Sequence, residues 1–193
     1  QDPTDIIVHS PDFDDDIIEV SYLFRDFKNM PVIERTALEF CSGRVLDIGC
    51  GAGSHALYLQ NKKNLNVTGI DISTGAIEVA IDRGLLDARC MNYFDVQDEK
   101  FDTLLLLMNG SGIIGKLKNL DKFFENSKSL LTANGKILID SSDLRYLFDE
   151  DEDGGIWVEM NSDYYGELEF SLSYKNEVSD PFNWLYIDFN LLN

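Results

Sequence analysis

The sequence predicts an α/β fold: a doubly wound, mostly parallel sheet with helices on both faces and an antiparallel hairpin at its C-terminal end. From residue 44 onward, short β-type runs alternate with longer helical ones. The run Leu104-Leu105-Leu106-Leu107 is apolar at every position, which calls for cover on both faces, as in a parallel sheet between helix layers. The strand-like segment at 44–48 runs straight into glycines and then into a helical pattern, the local grammar of a βαβ unit.

Residues 14–28 place Ile17, Ile18, Leu23, Phe24 and Phe27 among acids, a pattern that predicts one amphipathic helix after the Ser10-Pro11 turn. Pro31 suits a first helical position and Gly43 a stop, so a second helix is expected between them, and 1–43 reads as a helical N-terminal segment or lid. Strands are expected at 44–48, 66–71, 88–91, 101–108 and 135–140, with helices at 54–60 and 73–82. A further helix is expected to bury Leu117, Leu120, Phe124 and Leu131 along one face before Asn134-Gly135 closes it. Residues 44–141 thus form the α/β core. Beyond it, Leu168, Phe170, Leu172 and Tyr174 alternate with polar residues, and a second run at 184–189 follows the turn-like Ser179-Asp180-Pro181. Residues 142–193 therefore read as antiparallel strands within one domain spanning 1–193, with a terminal helix and strand expected beyond the last residue.

Composition narrows the function. Of 193 residues, 44% are apolar or aromatic and 26% charged, enough to bury a real core. The formal charge of −19 repels phosphate backbones, so nucleic acid is excluded as an expected partner. No apolar run approaches the roughly 20 residues of a membrane-crossing helix, and no basic-then-apolar leader opens the chain, so no membrane is expected and the cytosol is the expected compartment. Cys41, Cys50 and Cys90 form no CxxC pair and read as reduced thiols; with only His9 and His55 available, no metal site is implied.

The informative segment is Asp47-Ile48-Gly49-Cys50-Gly51-Ala52-Gly53-Ser54-His55. Glycines at alternate positions let the backbone turn sharply and approach a ligand, while the free N–H groups of the next helix face it. Asp71 ends the following strand, where a carboxylate can accept both hydroxyls of a ribose. A nucleoside ligand is implied. A dinucleotide fingerprint needs G-x-G-x-x-G, yet counting from Gly49 the sixth place is Ser54, and the third glycine comes one residue early. Asp47 sets a negative charge where a pyrophosphate would be repelled and a cationic amino-acid group welcomed.

D-I-G-C-G-A-G followed by G-I-D-I-S resembles the paired motifs of class I, Rossmann-like S-adenosylmethionine-dependent methyltransferases, over about residues 44–141. The resemblance implies S-adenosyl-L-methionine as cofactor. It implies that Asp47, Gly49, Cys50, Gly51 and Gly53 wrap the methionine part, that Asp71 holds the ribose, that Ile72 also lines the cofactor site, and that Asn92, Tyr93 and Phe94 meet adenine, with Asn92 standing where an acid is more usual. Met108 and Asn109 would complete the cofactor site, and Ser111, Tyr22 and Arg25 would face the substrate. The N-P-P-Y type motif of nucleic-acid amino-methylating enzymes is absent, in keeping with the acidic charge. The expected reaction is in-line displacement by an unidentified acceptor, a small molecule ahead of a protein. The alternatives are a non-catalytic sensor of the same cofactor and an NAD-dependent oxidoreductase.

Other features have plain readings beside the functional ones. His55, in the opening turn of a helix, reads as a packing or polar contact, and no general base is assigned. Cys50 reads as a small residue chosen for fit. Asn109 and Ser111 serve equally well as turn residues. Tyr22 and Phe24 suit packing against the sheet. The runs Asp14-Asp15-Asp16 and 149–153 read as solvated loops.

Overall fold

The computed structural model describes residues 5–148, 151, 153, 155 and 164–192. Two strands open it, β1 (Ile6–His9) and β2 (Asp16–Ile18), antiparallel with Ile7 opposite Ile17. A four-residue helix α1 (Val20–Leu23), a 3-10 turn at Phe27–Asn29 and helix α2 (Val32–Phe40) follow. The single helix expected over 14–28 does not form. Its β-branched Ile17 and Ile18 pair with β1, and Glu19 is extended at φ −60° and ψ 125°, so only one helical turn remains beyond it. Helix α2 lies where expected, after Pro31, and buries Glu34 and Leu38 one turn apart.

The core runs β3 (Arg44–Ile48), α3 (Ser54–Asn61), β4 (Asn66–Asp71), α4 (Thr74–Asp82), β5 (Ala88–Cys90), β6 (Phe101–Leu106), α5 (Leu120–Leu130) and β7 (Leu131–Ile139). The strands pair in the order β5-β4-β3-β6-β7, and every pairing is parallel. Winding proceeds outward from β3 to β5, then resumes on the other side at β6. This reversal opens a crevice at the carboxyl ends of the strands flanking the switch.

Both sheet faces are dry. Val45, Val67 and Leu105 pack with Leu38, Leu59 and Ala80 from α2, α3 and α4. Their neighbours Leu46, Ile70, Leu104 and Leu106 turn to the opposite cluster, with Phe123 and Leu130 of α5. This strand alternation serves two helix layers at once, which is why the leucine run has no polar position. Helix α5 corrects a detail of the expected face: Phe123, Ser127 and Leu130 are buried, whereas Phe124 is 39% exposed. Leu117 belongs to a separate 3-10 turn (Leu117–Asn119), which resets the helical phase before α5 begins.

A second sheet gathers both ends of the chain. Strands β8 (Glu167–Tyr174), β9 (Glu177–Val178) and β10 (Phe182–Leu185) precede a last helical turn, α6 (Phe189–Leu192). β8 and β10 form the expected antiparallel pair, with Leu168 opposite Trp184. β8 also pairs with β1, Ile7 lying opposite Ser173, so the N-terminal residues join the C-terminal hairpin. Most of the acidic run at 149–153 lies outside the described residues; Asp151 and Asp153 are exposed. Among the described residues no helix is long and apolar enough to cross a membrane.

The two sheets meet where Trp184 packs on the loop after β6. A Cβ built on Gly112 would lie 1.8 Å from the Trp184 ring. Gly112→Ala is therefore expected to displace the indole and destabilise the protein by about 1–3 kcal/mol, the usual range for overpacking. Urea unfolding with the tryptophan emission spectrum as a second readout checks both effects.

Candidate functional site

The loop between β3 and α3 is built on left-handed backbone. Gly49, Gly51 and Gly53 have φ of +74°, +52° and +83°. Gly53 is the N-cap of α3 and gives its carbonyl to the Leu57 N–H at 2.8 Å, so the helix starts without a side-chain cap. At Gly51 a Cβ would meet no atom within 4 Å, so the loop is open on that side and shaped for the close approach of another molecule.

Asp71, at the end of β4, ties this loop to the neighbouring strand. Its Oδ2 accepts the Gly51 N–H at 2.9 Å and its Oδ1 accepts the Ser73 N–H at 2.8 Å. One lone pair on each oxygen remains for a further donor. Beside it Ile72 is 75% exposed, a bare apolar surface next to a fixed carboxylate.

Asp47 is only 2% exposed. Burial pushes its carboxyl up to about 6, with the Asp71 charge adding to the rise, while His55 and the Ala56 N–H pull it down. Its Oδ2 is one of two buried side-chain polar atoms, among the described residues, that have no hydrogen-bond partner. The two aspartates are thus near enough to repel, and both charges, after burial itself, raise the Cys50 thiol. That thiol packs against β4, 2.9 Å from where a Cβ on Gly69 would lie, and stays protonated.

The loop after β6 completes the rim. Met108 and Asn109 are consecutive non-glycine residues at φ +66° and +57°, an arrangement that costs energy unless its surroundings hold it. Asp140 holds it: Oδ1 accepts the Gly110 N–H at 2.9 Å and Oδ2 the Met108 N–H at 3.2 Å. The Ser142 hydroxyl donates to Asn109 Oδ1 at 2.7 Å. Burial raises the Asp140 carboxyl, against the pull of these N–H groups.

Other residues named from the sequence sit elsewhere or are engaged. Tyr93 is 2% exposed in the core, its hydroxyl 2.6 Å from that of Ser127, so its ring supports α5 and does not border the crevice. Ser111 is fully buried. Its hydroxyl donates to the Leu185 carbonyl at 2.7 Å and lies 2.8 Å from the Ser141 hydroxyl, stitching β10 to the β6 loop and leaving nothing for a substrate. Asn92 is exposed and uses Oδ1 to cap the next turn through the Phe94 N–H at 2.9 Å. Phe94 is half-buried, with the Lys122 ammonium 4.8 Å from its ring centroid. Tyr22 is 39% exposed, and its carbonyl accepts Arg25 Nη1 at 2.6 Å.

Arg25 is 7% exposed and locked to Glu34 by two contacts of 2.6 and 2.5 Å from Nη2. Glu34 Oε2 also lies 2.8 Å from His55 Nε2. Burial would raise the Glu34 carboxyl, but His55 and Arg25 together hold it below the usual range. Sequence reading passed over Glu34 and Asp140. The signal for Glu34 is a charge at the place of a buried stripe, four residues before Leu38 on α2; Asp140, at a strand end among apolar residues, carries a weaker one.

These residues fit a ligand that presents hydroxyls to a carboxylate, a flat apolar surface to Ile72 and a positive group to Asp47. Among the described residues no group of three or more His, Cys, Asp or Glu is placed to hold a metal ion.

Comparison with known proteins agrees with this geometry. A family model described as a methyltransferase domain matches residues 41–182. The crystal structure of an S-adenosylmethionine-dependent methyltransferase from Bacteroides fragilis, in complex with S-adenosyl-L-homocysteine, is 52% identical with a TM-score of 0.90, covering 100% of this chain and 77% of that one. The sugar N-methyltransferase KedS8 from Streptoalloteichus shares the fold at 17% identity and a TM-score of 0.60, over 93% of this chain and 83% of its own. Phosphoethanolamine N-methyltransferase 1 of Zea mays is 29% identical over 100 residues, 50% of this chain, which spans 20% of that protein's length. With the family match running from the end of α2 into β10 and the cradle of β3, β4 and β6 in place, the chain belongs to the methyltransferase domain family, among the class I S-adenosylmethionine-dependent enzymes.

Proposed function

We propose that this protein transfers a methyl group from S-adenosylmethionine to a small-molecule acceptor. The carrying observation is the Gly51 N–H bond to Asp71 beside the buried, half-satisfied carboxylate of Asp47. Asp71 would take the ribose hydroxyls, and the 49–53 backbone with Asp47 the amino-acid end. Ile72, Asn92 and Phe94 would border the adenine, and Met108 and Asn109 the reacting end. When bound, the cofactor supplies a methyl group on a positively charged sulfur, open to in-line attack by an acceptor lone pair.

The protein's part is then alignment and exclusion of water, a contribution of up to about 7–11 kcal/mol for well-oriented partners. Asp140 serves that end by holding the strained Met108-Asn109 step in one conformation. A small acceptor is supported by the name of the maize relative, which acts on a phosphorylated amine, and by a charge of −19 that disfavours a nucleic acid. Three free thiols are in keeping with work in a reducing cytosol.

Titration calorimetry with S-adenosylhomocysteine tests the cofactor reading. Asp71→Ala is expected to weaken binding by about 1.5–3 kcal/mol, the range for a hydrogen bond to a charged group; an unchanged affinity refutes the ribose assignment. Methyl transfer assayed against a panel of metabolites separates an enzyme from a binding protein.

Asp47 makes opposite predictions for stability and binding. Its folded value of about 6 lies above the ordinary 3.8, so the folded protein binds more protons between those limits and this group's contribution to stability falls as pH rises through that window. Asp47→Asn should therefore raise the melting temperature of the ligand-free protein at pH 7.5 by a few degrees while weakening cofactor binding. Wild-type affinity should hold above pH of about 6 and decline below it, by up to about tenfold per unit, as the carboxylate is neutralised. A flat profile between pH 5 and 7.5 (roughly one unit either side of the transition) removes Asp47 from the binding scheme.

A further inference from the structure

Residues 20–139 hold fourteen Asp or Glu and fourteen Lys or Arg, so the formal charge of −19 falls wholly on residues 1–19 and 140–193, which carry twenty-one acids and two bases. Those two stretches supply the strands of the second sheet and the segment that leaves β7. The parallel core is thus close to neutral, and the wall beside it is strongly negative. That wall also has an aromatic side. Trp184 packs on the loop after β6, and residues opposite one another share a sheet face, so Leu168 lies with Trp184 on the face that meets that loop, and Phe170 with Phe182. The Phe170 ring centroid is 6.5 Å from that of Phe182 and 6.4 Å from that of Tyr186, and all three residues are only half-buried.

Short contacts lead from this wall to the loop after β6. Ser142, whose hydroxyl donates to Asn109, is followed by Asp143, whose Oδ1 accepts the Tyr165 hydroxyl at 2.8 Å. The Tyr165 ring centroid lies 4.6 Å from that of Tyr164, whose hydroxyl donates to Asp188 Oδ2 at 2.8 Å. Phe148 meets Tyr165 edge-on at 6.0 Å, and Phe13, between β1 and β2, meets Phe148 in the same way at 6.3 Å. Burial would raise the Asp188 carboxyl, but Tyr164 and the Leu191 and Asn190 N–H groups hold it below the usual range. Two carboxylates therefore stand among aromatic rings, one of them next in sequence to the side chain that fixes Asn109. Rings and carboxylates together favour one kind of guest: a cation is attracted by both, an anion is repelled by the acids, and a neutral molecule gains from the rings alone.

We propose that the methyl acceptor is a small organic cation of the ammonium class, drawn in by the charge of the second sheet and held against Tyr164 and Tyr165 by Asp143 and Asp188. This rests on the methyl-transfer reading above and names its substrate class. The charge segregation supplies attraction at a distance, and the tyrosine-aspartate pairs supply the local recognition.

The test titrates protein saturated with S-adenosylhomocysteine against two matched sets of probes that differ in charge: benzylamine, benzyl alcohol and benzoate, and ethanolamine with ethylene glycol. In at least one set the ammonium ion should bind at least about tenfold more tightly than the alcohol, with benzoate the weakest, and added salt should erode that preference. Asp143→Asn keeps an oxygen for the Arg145 N–H that Asp143 caps and removes only the charge, so it should lower the ratio at least about threefold and leave S-adenosylhomocysteine affinity unchanged. Glu177→Gln removes the same charge from the exposed β9 and should leave the ratio as it is. No preference for either ammonium ion, or an equal loss in both variants, overturns the proposal. Should Asp143→Asn fold poorly, the wild-type protein gives a second measurement: cross-relaxation between the bound ammonium probe and tyrosine ring protons is expected, and its absence is equally fatal. Failure of the wild-type chain to bind S-adenosylhomocysteine would instead overturn the methyl-transfer reading, whereas binding it without favouring a cation overturns the acceptor class alone.

Discussion

The arrangement at the crevice depends on a carboxylate kept out of water and left half-satisfied. Asp47 is the penultimate residue of β3, and its neighbours Val45, Leu46 and Ile48 are all in the core, so its charge is held by the same packing that makes the sheet. In the free protein that charge is opposed by burial and by Asp71, and is relieved by His55 and the Ala56 N–H. The site therefore carries a cost in the free state that, on the proposed reading, a positively charged ligand group would remove. Stability and binding pull in opposite directions at one atom.

That constraint radiates outward. Asp71 can stand close to Asp47 because two backbone N–H groups share its charge, and one of them belongs to Gly51, in the loop that Asp47 introduces. Glu34 can be buried because Arg25 and His55 both face it. Asp140 can be buried because the strained β6 loop turns its N–H groups inward. Each acid beneath the crevice is matched to donors from a different element, which ties the glycine loop, the N-terminal segment and the β6 loop into one electrostatic unit.

The fold was largely legible because its signals are strong and local. Leu104 to Leu107 without a polar break announced a strand covered on both sides, and β3 and β4 fall at the expected limits because glycine and aspartate punctuate their ends. The N-terminal strands were not legible. Ile17 and Ile18 fit a helical stripe as well as a strand edge, and what decides between them is pairing with β1 and, through it, with residues far along the chain. In the candidate site, the closeness of Gly51 and Asp71 could be read from spacing, since the ends of β3 and β4 and the turn between β3 and α3 fix their positions in sequence. Tyr93 and Ser111 could not be separated from ligand contacts, because whether a polar side chain turns into the core or the crevice is settled by its tertiary neighbours, here Ser127 and Leu185. Glu34 and Asp140 stayed hidden because their partners come from other elements.

The second sheet brings Ile7 opposite Ser173, so one of its seams joins strands far apart in sequence. The five parallel strands lie within residues 44–139, whereas the β1–β8 seam needs segments from both sides of that core. The contacts within the parallel core are the more local, so that core is expected to form ahead of the seam. Sequence change along that seam then acts late in folding, after the parallel strands have paired.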